Sequence, residues 1–150
     1  MIAALIPDTV GLAEAASPVA LPLLPAVRRV ERAGPVALLV ATARMDRSGR
    51  VGERLLLRAL GWGPGQRLDM DTMHGMIVIA AAPEGAYVVD ARGAVTLPAA
   101  LRHLCGIEPG LPLVLAAAVA EQVLVVHPAD VVARLLAGHY TDLLGVGHDG

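Results

Sequence analysis

Aromatic residues and cysteine are scarce in this chain of 150 residues. It contains no phenylalanine, one tryptophan and two tyrosines, although 55% of its residues are hydrophobic. Leucine, valine and alanine must therefore supply most of the hydrophobic core. The single cysteine, Cys105, excludes a disulfide within the chain. Because it lies on the apolar side of a predicted short helix, we expect a buried structural thiol.

Long hydrophobic runs are absent as well. The longest candidate, 111–120, contains Pro112 and is followed by Glu121, so no segment approaches the roughly 18 apolar residues that span a bilayer. The first residues lack a positively charged leader and include Asp8 and Glu14, which is untypical of a signal peptide. We therefore expect a cytoplasmic protein without membrane association.

Lysine is also missing, so all 12 basic residues are arginines, while the net charge of the chain is −2. Residues 44–67 carry six arginines against two acidic residues, Asp46 and Glu53, which gives this segment a local charge of about +4. The six are Arg44, Arg47, Arg50, Arg54, Arg58 and Arg67. Such clustering is typical of a nucleic-acid-binding surface. The alternative is that these arginines only solubilise a very apolar domain.

Residues 90–110 contain two turns with a short strand and a short helix between them. Asp90 to Gly93 predicts a tight turn, and the valine and threonine that follow favour a strand. Pro98 suits the first turn of a helix that ends at Gly106. A second turn follows at the end of the segment.

The same order of residues recurs at 46–65, with one residue missing between Arg58 and Gly61. Eighteen residues after each closing turn glycine the chain reaches a proline, Pro83 in the first segment and Pro128 in the second. This long correspondence indicates an internal duplication. Copies of about 45 residues are too short to bury a core alone, so the two must pack on each other or on copies from another chain. The matched residues are Asp46 with Asp90, Gly49 with Gly93, Val51 with Val95, Gly61 with Gly106 and Gly65 with Gly110.

The prolines, glycines and hydrophobic patterns divide the chain into four segments. We expect a mobile Pro/Ala-rich arm at 1–34, a first repeat at 35–84, a second repeat at 85–128, and a C-terminal helix and tail at 129–150. Each repeat reads as strand, turn, short strand, short helix and hairpin, so the predicted fold class is α+β, mostly β with short helices. The predicted hairpins join 66–71 to 76–81 and 113–117 to 123–127.

The C-terminal segment predicts one amphipathic helix that begins at Pro128. We expect this helix to pack back onto the repeats, with Leu143 and Leu144 covering the core. The alternative is that its exposed edge binds a partner protein.

The second copy, 86–128, resembles the AbrB/MazE/SpoVT swapped-hairpin DNA-binding domain. The resemblance rests on the Asp-x-x-Gly turn, the short strand that ends in proline, the Leu-Arg pair, the Gly-Ile-x-Pro-Gly sequence and the final hairpin. The first copy, 41–83, is a degenerate match, and the two copies cover a little over half of the chain. The family usually forms a small, double-psi-like barrel from two chains that exchange hairpins. Tandem copies imply either a homodimer or a pseudo-dimer built within one chain.

The resemblance also implies a function, since the family contains transcription regulators and antitoxins that bind their own promoters. Its DNA contacts come from basic residues after the turn glycine and at the Leu-Arg pair. We therefore expect double-stranded DNA as the partner, contacted by Arg47, Arg50, Arg54, Arg58, Arg92, Arg102 and His103.

The two copies depart from the family pattern in different ways. Ala94 stands where a basic residue is usual, and Gly52-Glu53-Arg54 replaces the Thr-Leu-Pro of the second copy. The DNA-binding surface should therefore be lopsided, with most of its charge from the first copy. The alternative is a protein-interaction module, such as the antitoxin-like partner of a toxin, that has lost or weakened DNA binding.

The sequence contains no pattern that favours catalysis, a cofactor or a metal ion. The five histidines are scattered without cysteine or acidic partners at ligand spacing. Asp69 and Asp71 share a strand face but have no nucleophile or histidine beside them. Residues 61–65 lack the lysine and following helix of a phosphate loop. We interpret Trp62 in this loop as a core residue, and we expect that the protein is not an enzyme.

Overall fold

The computed structural model describes residues 37–145 of the protein. The predicted N-terminal arm at 1–34 and the tail beyond residue 145 lie outside the described residues. Those that are described form eight strands and three helices, which confirms the predicted α+β class. In chain order they are β1 (Leu39–Arg44), β2 (Arg50–Val51), α1 (Arg54–Leu60), β3 (Arg67–Met73), β4 (Met76–Ala81), β5 (Tyr87–Val88), β6 (Val95–Thr96), α2 (Ala99–Cys105), β7 (Pro112–Ala118), β8 (Val123–Pro128) and α3 (Ala129–Leu144).

Six strands form one antiparallel sheet in the order β1-β7-β8-β4-β3-β5, and β2 pairs with β6 in a separate ribbon. Both predicted hairpins are present, as β3–β4 and β7–β8. The expectation of a closed small barrel is wrong, because β1 and β5 are the two edges of an open sheet. Strand β5 has only two residues, too few to extend the hydrogen-bond ladder toward β1.

The strand order exchanges the outer strands between the two halves of the molecule, which we define as 39–81 and 87–128. Strand β1 of the first half pairs with β7 of the second, and β5 of the second half pairs with β3 of the first. The hairpins meet at β4–β8, where Ile79 lies opposite Leu124, and in the ribbon Val51 lies opposite Val95. Ile79 and Leu124 occupy corresponding positions of the two matched segments, and so do Val51 and Val95. A pseudo-twofold axis therefore passes between the members of each pair.

The closing turns repeat this exchange in their backbone hydrogen bonds. The amide of Gly65 donates to the carbonyl of Val89 at 2.9 Å, and the amide of Gly110 donates to the carbonyl of Met45 at 3.2 Å. Each turn is thus tied to the residue that precedes the aspartate turn of the other half. Gly61 and Gly106 end α1 and α2 in the left-handed conformation, as expected for glycine at this position.

The hydrophobic core lies between the sheet and the two short helices and draws on both halves. Trp62 is 3% exposed, and its indole Nε1 donates to Oε1 of Gln122 at 2.9 Å, which confirms the prediction of a core residue. On α2, however, Leu104 is 70% exposed, so this helix buries less of its apolar side than the sequence predicts. Cys105 is only half-buried rather than fully buried, and desolvation raises the pKa of its thiol.

The longest helix, α3, contacts β7 and β8 and buries one residue, Val131. Its 16 residues give a length of about 24 Å, and every residue from 133 to 145 is exposed. The expectation that Leu143 and Leu144 cover the core is wrong, since they are 65% and 68% exposed. The helix starts directly at the end of β8. None of the helices within 37–145 has the length and apolar character needed to cross a membrane.

We predict that Gly85→Ala destabilises the protein, because the backbone of Gly85 packs directly on β3. A Cβ atom at this position would lie 2.2 Å from the carbonyl oxygen of Leu68 and 2.4 Å from its carbonyl carbon. Leu68 is fully buried, so the strand cannot move aside easily. We expect urea denaturation to give a loss of about 1–3 kcal/mol in the free energy of unfolding.

Gly138→Ala on α3 is the matched control, since a Cβ atom at Gly138 would have no neighbouring atom within 4 Å. Alanine is the better helix former by about 1 kcal/mol, so this variant should be as stable as the parent or more stable. A Gly85→Ala variant with the parent's unfolding midpoint would contradict the close packing of Gly85 on β3.

Candidate nucleic-acid interface

Two aspartate turns, 46–50 and 90–94, carry several of the predicted DNA contacts. In each turn the Oδ1 atom of the first residue accepts hydrogen bonds from the backbone amides two and four residues later. These bonds hold the turns in one conformation and present Arg47 and Arg92 at the surface, where both are exposed. The bonds are Ser48 N to Asp46 at 2.8 Å, Arg50 N to Asp46 at 2.9 Å, and Arg92 N and Ala94 N to Asp90 at 2.9 Å each.

Arg50 connects the two turns across the pseudo-twofold axis. Its Nε atom lies 3.3 Å from Oδ2 of Asp90, and its Nη1 atom lies 3.7 Å from Oδ2 of Asp46. The same Nη1 donates to the hydroxyl of Ser48 at 3.2 Å. The structure thus places this predicted DNA contact inside a network of ion pairs and hydrogen bonds. The corresponding residue of the second half, Ala94, is uncharged and cannot form such ion pairs.

The pKa of both turn carboxyls is lowered by these hydrogen bonds. The pKa of Asp46 falls chiefly because the Ser48 hydroxyl and the Arg50 amide donate to it. The pKa of Asp90 falls chiefly because the Ala94 amide donates to it, and the nearby arginines add to the effect. Both groups are therefore anionic at neutral pH and hold their turns through that charge.

Three of the predicted arginines surround one open cleft of about 420 Å³, which we call the arginine cleft. Arg54 and Arg58 come from successive turns of α1, where residues four apart share a helix face. Arg92 comes from the aspartate turn of the other half. All three are exposed, and among the residues described none of them forms an ion pair. The carboxylate of Glu53 accepts a hydrogen bond from the Leu56 amide at 2.8 Å and so caps α1.

The remaining predicted contacts lie on the other side of the axis, where turn 46–50 packs against α2. The amide of Leu97 donates to the carbonyl of Gly49 at 2.8 Å. The Nε atom of Arg102 donates to the carbonyl of Leu97 at 2.8 Å, which draws this side chain against the protein. Arg47 and His103 are exposed on this side. The seven predicted residues are thus divided between two sides of the axis, with Arg50 at the junction.

The loop 61–64 forms one wall of the arginine cleft, although the sequence did not predict it as part of the site. The loop lacks the lysine and following helix of a phosphate loop, so its residue types alone do not indicate binding. Two features of the sequence could have identified this loop. It follows directly after the helix that carries Arg58, and it has Gly63 where the second copy has Glu108. Glycine leaves open space here, since no atom lies within 4 Å of a Cβ built at Gly61 or Gly63.

Within 37–145, no group of three or more histidine, cysteine, aspartate or glutamate side chains is arranged to hold a metal ion. The chemistry that the arginine cleft offers is therefore that of guanidinium groups, which donate hydrogen bonds and attract anions. Comparison with known proteins adds nothing to this assignment, since no family model matches the chain and no curated protein matches it.

We predict that stability falls in acid as the two turn carboxyls are protonated. Because the folded-state pKa values of Asp46 and Asp90 lie below the ordinary value of 3.8, their contribution is fully present above that pH. It is lost as the pH falls through the lower, folded-state values. Thermal unfolding of the parent and of an Asp46→Asn/Asp90→Asn double variant across this range measures the effect.

The double variant should be less stable than the parent at neutral pH and should depend less on pH in acid. Asp130→Asn is the control, because Asp130 is exposed and pairs with Arg134 on α3, and exposed ion pairs contribute little. Identical acid profiles for the parent and the double variant would contradict a role of these carboxyls in holding the turns.

Proposed function

We propose that the protein is a DNA-binding regulator of transcription that contacts duplex DNA through the arginine cleft. The observation that carries this proposal is the convergence of Arg54, Arg58 and Arg92 around one open surface. Their exposure leaves each guanidinium available to a ligand. Positive groups gathered on one surface attract the phosphates of nucleic acid.

Arginine suits this task because its planar guanidinium binds phosphate oxygens or guanine edges with two parallel hydrogen bonds. The cleft is also held in place by its surroundings. Leu57 and Trp62, on the wall of the cleft, are both buried in the core, and Arg92 lies in a turn fixed by the carboxylate of Asp90. A fixed backbone spares the entropy that a flexible loop loses on binding.

For the fold we propose a swapped-hairpin arrangement of the AbrB/MazE/SpoVT type, formed as a pseudo-dimer by one chain. The exchange of β1 and β5 between the halves supports it, as does the repetition of the aspartate turns and glycine-capped helices. Regulation of transcription is the activity that this resemblance and the cleft suggest together.

A second candidate function rests on α3, which carries five large apolar side chains that are 46–68% exposed. Contiguous apolar surface of this kind is typical of protein-binding sites. In this proposal α3 binds the apolar surface of another protein, either a second copy of the chain or a toxin for which this chain is the antitoxin-like partner. The five residues are Leu135, Leu136, Tyr140, Leu143 and Leu144.

We predict that an Arg54→Ala/Arg58→Ala variant binds duplex DNA more weakly and with a shallower salt dependence. Each phosphate contact contributes about 0.9 to the slope of log affinity against log salt concentration. Loss of two contacts should therefore reduce the slope by about 1.8. Fluorescence anisotropy with a labelled duplex of random sequence, repeated across a salt series, measures both quantities.

Arg134→Ala is the control for this experiment, since Arg134 is an exposed arginine on α3 outside the cleft. It removes the same kind of charge and should leave the slope as in the parent. Equal losses in the control and in the double variant would indicate a general charge effect and would contradict a contact in the cleft.

We predict that Leu136→Glu/Leu143→Glu on α3 abolishes self-association without changing DNA affinity per chain. Charged side chains among the exposed apolar residues of α3 oppose the burial of this helix in an interface. Sedimentation equilibrium should give a mass above 15.4 kDa for the parent and the monomer mass for the variant. A parent that is monomeric at every concentration would contradict α3 as a self-association surface.

A further inference from the structure

We infer that each chain binds DNA on one side of its pseudo-twofold axis and therefore recognises a non-palindromic half-site. This inference rests on the proposed function and specifies the kind of DNA site that the arginine cleft takes. Symmetric proteins place identical contacts on both sides of an axis, which is why their operators are palindromic. In this chain the two sides differ at the positions that would touch DNA.

The arginine cleft and its counterpart across the axis are built from corresponding elements. In the cleft, α1 of the first half faces the aspartate turn of the second half. On the other side, α2 of the second half packs against the aspartate turn of the first, through the bond between Leu97 and Gly49. Corresponding elements thus lie on both sides of the axis.

Their side chains are not equivalent. Three positions that carry charge or leave space in the cleft are changed in the counterpart, where Pro98 corresponds to Arg54, Ser48 to Arg92 and Glu108 to Gly63. The first two changes remove a positive charge each. The third places a carboxylate, which repels phosphate, at the position of an open glycine.

One arginine is common to both sides, but its surroundings differ. Arg58 is exposed and lines the cleft. Arg102 is half-buried, donates through Nε to the carbonyl of Leu97 at 2.8 Å, and lies so close to Gly49 that a Cβ there would be 3.2 Å from its Cζ atom. The counterpart arginine is thus partly engaged in holding α2 to the turn.

Arg47 and His103 are exposed on the counterpart side and give it some positive charge. They do not reproduce the cleft, because neither corresponds to Arg54 or Arg92 and Glu108 offsets part of their charge. Phosphate contacts should therefore concentrate where α1 meets the turn 90–94. The half-site that one chain selects should lack inverted symmetry.

The test compares the two sides with a labelled duplex of random sequence in the anisotropy salt series. The triple variant Arg54→Ala/Arg58→Ala/Arg92→Ala should lower the salt slope by about 2.7, the sum for three phosphate contacts. The variant Arg47→Ala/His103→Ala on the other side should lower it by less than about 1. Thermal unfolding of each variant verifies that the fold is retained.

A second variant tests the same inference by a gain of binding and does not depend on the triple variant folding. Ser48→Arg with Glu108→Gly gives the counterpart side two of the features of the cleft. It should raise the slope by about 1 and tighten binding. Ethylation interference on the complex of a selected binding sequence with the monomeric Leu136→Glu/Leu143→Glu variant should identify a single group of essential phosphates.

Equal losses from both sides, or two symmetric groups of essential phosphates for the monomeric variant, would overturn one-sided binding and leave the proposed function intact. Absence of salt-dependent binding by the parent protein would overturn both. A large loss confined to the triple variant, with one group of essential phosphates, is the result that the inference predicts.

Discussion

The exchange of outer strands between the two halves is the constraint on which the rest of this structure depends. Strand β1 completes the sheet on the hairpin of the second half, and the short β5 does the same on the hairpin of the first. Neither half has a core of its own, since buried residues from both are in contact in one cluster. The exchange also brings the turn of one half beside the helix of the other. The arginine cleft exists for this reason, with Arg54 and Arg58 from one half and Arg92 from the other.

A pseudo-twofold body within one chain differs from a true dimer in an important respect, because its two halves can change independently. Here the backbone turns remain alike, as the paired bonds at Asp46 and Asp90 demonstrate, while the side chains around them diverge. Arg50 illustrates the difference, since one guanidinium serves both aspartates and Ala94 stands at the corresponding position. The structure therefore combines a symmetric scaffold with one richly basic surface.

Much of this fold could be predicted from the sequence, because turns and hairpins depend on local residues. The glycine-capped helices, both hairpins and the burial of Trp62 follow from spacing and residue type. The exposure of α3 could not be predicted, because an amphipathic pattern indicates that one face of a helix will be buried but does not identify the surface that covers it. Barrel closure was overestimated for a related reason, since it depends on the length of an edge strand. For the candidate site, the three arginines of the cleft were named from the sequence. The ion pair of Arg50 with a carboxylate and the hydrogen bond of Arg102 to a carbonyl could not be predicted, because they depend on contacts between distant residues.

The most direct test of the arginine cleft as a DNA-binding surface is amide chemical-shift mapping of the isotope-labelled protein as duplex DNA of random sequence is added. We expect shifts concentrated at residues 54–63 and 92–93, the walls of the arginine cleft, and weaker shifts at turn 46–50 and α2. Shifts confined to α3, or no shifts at low salt, would contradict the assignment of the cleft as a DNA-binding surface.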